Sequence, residues 1–249
     1  MRDYLVMRLY APLASWGEIA VGEMRHSAAY PSKSALLGLL GAAMGVQRED
    51  ESAQGQLNAG YAFGGKLCSA GFPLRDYHTV QAPQSKAKER YYTRRDEVMR
   101  GELNTLLTER EYRCDALSVV AVAALEYAPL SLNELADNIK SPYFPLYLGR
   151  KSCPLAVPLM PRVNMFASLK KALDSFDEVA LPGTVSVKQM AYLLRLDKSP
   201  RYYWDESLHD VAGMSIDMTL NRNDQPLHRG RWQFAPRREH LHLGAGGAA

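Results

Sequence analysis

The chain has 249 residues, 47% of them hydrophobic, and a formal net charge of +3 at pH 7. These totals exclude a disordered or fibrous chain and leave room for one large domain or two small ones with a real core. They carry too little overall charge to argue for nucleic acid, so local clustering has to decide that question.

Tyr4 to Tyr10 alternates, with Leu5, Met7 and Leu9 on one face, and reads as a strand with one buried side. A loop follows, and Arg25-His26-Ser27 leads into a helix over about 33–45. Its residues are apolar nearly all round and its glycines fall at Gly38, Gly41 and Gly45, the pattern of a helix packed closely on several sides. Pro31 suits the entry, and Ser32 and Ser34 can cap the first free N–H groups. With Lys33 beside them, that helix start is a candidate anion site, for a phosphate above all. Tyr61 to Leu67 reads as a second strand, weakened by Gly64 and Gly65.

Residues 75–113 differ in character. Lys86, Lys88, Arg90, Arg94, Arg95 and Arg100 outnumber the acids around them, and Tyr91 and Tyr92 sit among them. Neither the helical nor the strand period is clean, so this reads as an inserted, exposed arm. Asp115 to Leu125 reads as a buried strand. Ser131 to Ile139 reads as a short amphipathic helix with a Ser/Glu capping box. Strand, helix, strand, arm, strand, helix fits a split βαβ, ferredoxin-like layout with a long insertion between its second and third strands.

Tyr147 to Leu155 is a turn bearing Arg150 and Lys151. Thr184 to Leu196 is the candidate closing strand, with short strand candidates at Tyr202–Trp204 and Ser215–Leu220. Arg222 to Arg238 holds five arginines against one acid, Asp224, and reads as a basic tail. His240 and His242 fall in the same tail and carry little weight as metal ligands.

A ferredoxin-like sheet with a basic, tyrosine-bearing arm suggests RNA, because arginines meet phosphates and tyrosines stack on unpaired bases; a solvated surface loop is the plain alternative. No GxSxG, HExxH or P-loop pattern is present. Metal-free RNA cleavage needs a base, an acid and a cation, which His26, Tyr30, His78 and Lys86 would supply only if they converged. Three dispersed cysteines, Cys68, Cys114 and Cys153, without a CxxC pair, argue against a disulfide framework or a zinc site. They read as reduced thiols of a cytoplasmic protein. The N-terminus is too polar for a signal peptide, and no apolar run suits a membrane helix.

Three stretches together go beyond composition: Tyr30 to Ala42, Leu74-Arg-Asp-Tyr-His-Thr-Val80, and Tyr147-Leu-Gly-Arg-Lys-Ser-Cys-Pro-Leu155, supported by Glu111 to Ala116. In this order the chain resembles the fifth Cas protein family of the RAMP superfamily, in its type I-E form. The likeness covers roughly residues 1–160. It implies an α+β fold: a ferredoxin-like (RRM-like) domain over 1–160 with a β-hairpin thumb inserted at about 75–113. A less regular, β-rich extension over 161–249 would complete the sheet and carry the basic tail.

The resemblance also implies a role in antiviral defence. Such a subunit holds the 5′ handle of the CRISPR RNA, caps the backbone filament of the Cascade ribonucleoprotein and touches the large subunit that reads the PAM. Target DNA is met indirectly, and neither cofactor, metal nor membrane is involved. Arg25, His26, Lys33 and Ser34 match the family's N-terminal RNA-binding region. Arg75, Tyr77 and His78 match the base of its thumb. Lys86, Lys88, Arg90, Tyr91, Arg94, Arg95 and Arg110 lie along the thumb, and Arg150 and Lys151 near the same edge. No catalytic residue is implied. The alternative is a metal-independent endoribonuclease that processes precursor CRISPR RNA, as the type I-C relative does.

Overall fold

The computed structural model describes residues 1–83, 90–99, 103–176, 192 and 194–244. The chain begins with β1 (Arg2–Tyr10) and four two-residue strands, β2 (Leu13–Ala14), β3 (Trp16–Gly17), β4 (Met24–Arg25) and β5 (Ser27–Ala28). Helices α1 (Lys33–Met44) and α2 (Glu51–Gly60) lead to β6 (Tyr61–Ser69). Next come β7 (Phe72–Pro83), α3 (Arg94–Met99), β8 (Leu103–Cys114) and β9 (Leu117–Ala124). Then follow α4 (Leu132–Lys140), β10 (Arg162–Phe166), α5 (Leu169–Asp174), β11 (Arg201–Asp205), β12 (Met218–His228) and β13 (Gln233–Leu243).

The class is α+β, and its strands pair antiparallel apart from β4 beside β8. The main sheet runs β10-β1-β9-β6-β11-β13-β12, and every neighbouring pair in it is antiparallel. One face of β1, with Leu5, Met7 and Leu9, packs with α1 and α4 through Leu37, Leu40 and Leu135. The other face is buried too: Tyr4 and Val6 lie in a second core with Leu169, Leu173 and Trp204. The sequence pattern predicts one buried side. Both are covered because α5 packs over the second through Leu169, Ala172 and Leu173, which also explains why β9 is apolar along nearly its whole length.

Helix α1 is buried as its composition predicts. Ser32 caps it by accepting from the Ala35 amide, and Gly45 ends it in the left-handed conformation at φ 78°. Helix α4 has the expected capping box between Ser131 and Glu134. Strands β7 and β8 form a long antiparallel hairpin inserted between β6 and β9, in register from Phe72↔Cys114 to Pro83↔Leu103. Most of its side chains are exposed on both faces. That is why its sequence carries no period.

The C-terminal third departs from the expectations. The strand beside β1 is β10, Arg162–Phe166; the candidate closing strand at 184–196 lies mostly outside the described residues. Residues 222–238, expected as a basic tail, form most of the β12–β13 hairpin, and His240 and His242 are in β13. The hairpin holds its place because β13 pairs with β11 and its arginines find buried acids. Among the described residues no helix is long and apolar enough to cross a membrane.

The turn bearing Arg150 is fixed by backbone contact. The Ser15 amide donates to the Leu148 carbonyl at 3.0 Å. Gly149 has φ +87°, and a Cβ there would lie 1.7 Å from the Ser15 carbonyl oxygen. Gly149→Ala should therefore destabilise the protein by at least about 1–3 kcal/mol, the typical cost of a strained backbone position. Urea unfolding with an unchanged m-value and a lower midpoint would register it. An unchanged midpoint would disprove the contact.

Candidate nucleic-acid interface

The anion at the start of α1 is supplied by the chain itself. Asp224 of β12 accepts from the Lys33 backbone amide at 2.8 Å. The Lys33 ammonium lies 3.4 Å from Asp205 and is largely buried. Arg237 joins these acids, meeting Asp205 at 2.8 Å, Asp224 at 2.6 and 3.0 Å, and Glu239 at 2.6 Å. Burial alone would lower the Arg237 pKa; hydrogen bonding to Asp224 and the charges of Asp205 and Glu239 outweigh it and push it further up. Tyr30 donates to Glu239 at 2.5 Å and stacks on Tyr203 with centroids 3.7 Å apart. Arg222 lies over the Tyr30 ring and 3.5 Å from Glu239. Three cations and three carboxylates thus neutralise one another. The site predicted for a phosphate at Lys33 and Ser34 is filled by Asp224, and the Ser34 carbonyl accepts from Arg229 at 2.6 Å.

The β7–β8 hairpin sorts the remaining predicted residues by strand alternation. Strand β4 runs parallel to β8 with Met24↔Glu109 and Arg25↔Arg110, and β7 places Asp76 opposite Arg110. Arg25 and Arg110 therefore share a register row, and His78, bound to Asp76 at 2.6 Å, is on the same face. Tyr112 lies on that face nearer the body, with the Arg150 guanidinium 4.7 Å above its ring. Arg110 is exposed and makes no ion pair among the described residues. Arg25 is exposed and donates to the Gly22 and Met24 carbonyls. This face is cationic, with one aromatic at its root.

The opposite face is mixed. Arg75 lies 3.5 Å from both Glu109 and Glu111, and His26 lies 3.3 Å from Glu111. Burial would raise the Glu111 pKa. Hydrogen bonds from His26 and the Ser27 amide, with the charges of His26 and Arg75, outweigh it and hold the carboxyl below its ordinary range. Tyr77 is exposed beside Arg75.

Further out, Arg90 and Arg95 are exposed and Tyr91 is half-buried. Arg94 pairs with Glu97 at 2.5 Å. Lys86 and Lys88 lie outside the described residues, and Lys151 is exposed in the turn after Gly149. The set His26, Tyr30 and His78 does not converge: the histidines occupy opposite hairpin faces and Tyr30 is held by Glu239. Sequence reasoning missed Tyr112, which the alternation of β8 would have placed on the same face as Arg110. It also missed Asp205 and Glu239 as partners of the arginines. Among the described residues no group of three or more metal-binding side chains gathers.

Fold and surface together define an α+β protein with a cationic β-ribbon standing on an antiparallel sheet. A family model described as CRISPR-associated protein (Cas_Cas5) matches residues 4–239, and the chain belongs to that family. It is 34% identical over 189 residues to the CRISPR system Cascade subunit CasD of Escherichia coli (strain K12), covering 72% of this chain and 79% of that one. Its fold is similar to a chain of a CRISPR RNA-guided surveillance complex, with a TM-score of 0.63 and 24% identity over 97% of this chain and 90% of the other. A crystal structure of a Cas protein gives a TM-score of 0.64 at 22% identity, over 98% of this chain and 95% of that one.

Proposed function

We propose that this chain is a non-catalytic CRISPR RNA-binding subunit of a Cascade-type surveillance complex. It holds the 5′ handle of the guide RNA and caps one end of the backbone filament. The observation that carries the reading is the hairpin face formed by Arg25, Arg110, His78 and the Arg150–Tyr112 stack. Guanidinium groups there meet phosphates, which fix the register of the RNA on the ribbon. Family membership and the CasD relative support the assembly.

A ferredoxin-like reading of the first part of the chain agrees with this. Taken as β1-α1-β6-β9-α4-β10, the elements alternate as βαββαβ, and their strands lie in the order β10-β1-β9-β6. The β7–β8 hairpin is then the thumb, inserted between the second and third strands. Its apolar positions, Leu74, Val80 and Leu106 among them, are exposed and suit contact with a neighbouring backbone subunit. The large PAM-reading subunit is the second protein partner, and target DNA is met only through the assembled complex.

Incubating the purified chain with its own repeat RNA in EDTA tests the absence of catalysis. The expected result is binding of the processed handle with the precursor left intact. A specific cut at the base of the repeat stem, lost on His26→Ala or His78→Ala, would make the chain an endoribonuclease instead.

A further inference from the structure

The β12–β13 hairpin carries two sets of arginines with opposite surroundings. At its base, Arg222 and Arg237 are matched by Asp205, Asp224 and Glu239. At its tip, neither Arg229 nor Arg231 pairs with a carboxylate among the described residues. The Arg229 guanidinium is largely buried, donates to the Ser34 carbonyl at 2.6 Å, and leaves Nε without an acceptor. Burial and the neighbouring Arg48 both lower its pKa. Of the acids that follow Arg48, Glu51 takes His228 at 2.6 Å, Asp50 caps α2 through the Ala53 amide at 3.0 Å, and Glu49 is exposed. A guanidinium removed from water without a counterion is costly unless an anion arrives from outside.

Trp232 closes the same turn. It adopts φ 54°, a left-handed conformation that bulky residues rarely take. Its indole is 60% exposed. Arg48 lies 4.7 Å from the ring centroid. Trp16 and Trp204, by contrast, are 4% and 1% exposed.

We propose that the tip of the β12–β13 hairpin, together with Arg48, is a second nucleic-acid site that takes a single strand, its phosphates on Arg229 and Arg231 and a base stacked on Trp232. The site uses none of the β7–β8 residues and does not depend on the reading of the handle. Base-to-aromatic stacking beside unpaired guanidinium groups is the chemistry of sequence-tolerant single-strand binding.

Because the other two tryptophans are buried, tryptophan emission reports this site selectively. Titrating the full chain with a short oligothymidylate should quench and shift the Trp232 emission. Arg229→Ala/Arg231→Ala should weaken binding by at least about tenfold and flatten the log K against log salt slope by about 1.4, near 0.7 per phosphate for a single strand. Trp232→Ala, read by anisotropy of a labelled oligonucleotide, should cost about tenfold. Arg25→Ala/Arg110→Ala should leave the Trp232 quench intact, so that failure here is distinct from failure of the handle site. If the Arg229 variant melts early, Arg48→Ala/Arg231→Ala, at two exposed positions, decides in its place. Quenching by polyglutamate but not by oligothymidylate would assign the tip to an acidic protein partner and overturn the proposal. An unchanged quench in the arginine variants would overturn it as well.

Discussion

Arg237→Met should lower the unfolding free energy by about 3–5 kcal/mol, the range for removing one partner of a buried ionic group. The cause is what remains behind. Arg237 meets three carboxylates within 3.0 Å. After its loss Asp205 keeps Lys33 and the Phe63 amide, Asp224 keeps the Lys33 amide, and Glu239 keeps Arg222 and Tyr30. Three acids then share two cations in a region from which water is largely excluded. The neighbouring Arg238 is the control. Its contact with Glu206 is 3.3 Å long but exposed on both sides, so Arg238→Ala should change stability by no more than about 1 kcal/mol. Urea midpoints at constant m-value separate the two. Equal midpoints for both variants would mean that the network adds nothing to the fold.

Arg25→Ala/Arg110→Ala should reduce affinity for the 5′ handle RNA at least about 100-fold, taking about 1.5–3 kcal/mol for each charged hydrogen bond lost. The salt slope should flatten by about 1.4, as expected when two phosphates lose their cations on a single strand. His26→Ala/Arg75→Ala should do little, because these side chains face Glu109 and Glu111 across the hairpin. A filter-binding or anisotropy titration at several salt concentrations reads both. If the second pair mattered more than the first, RNA would lie on the other face of the ribbon.

Helix α1 was legible because its signals are local. The Ser32 cap, the apolar run and Gly45 all act within a turn or two. The register of the β7–β8 hairpin was not legible, since both of its faces are exposed and no hydrophobic alternation fixes which residues pair. That register, with the pairing of β4 on β8, decides that His26 and His78 lie on opposite faces while Arg25 and Arg110 share a row. The C-terminal hairpin was misread for a different reason. Five arginines against one acid resemble a solvated flank. Two of the three acids that neutralise Arg237, Asp205 and Glu239, fall outside that window, and nothing in a sequence displays a pairing made by folding. The same blindness placed a phosphate at Lys33, where Asp224 already sits.

The fastening of α1 to the last two strands has a kinetic consequence. Lys33 and Asp224 are 191 residues apart, and Tyr30 and Glu239 are 209 apart. At about 5–20 residues per second, a ribosome needs roughly 10–40 s to deliver the acids after the helix has emerged. Throughout that interval the helix start lacks its counter-charges and β6 lacks β11 on its open edge. Contacts of such long sequence separation form late and slowly. The nascent chain therefore passes through a long stage in which an unpaired strand edge and an apolar helix are open to chaperones, and the final strands act as the latch that ends it.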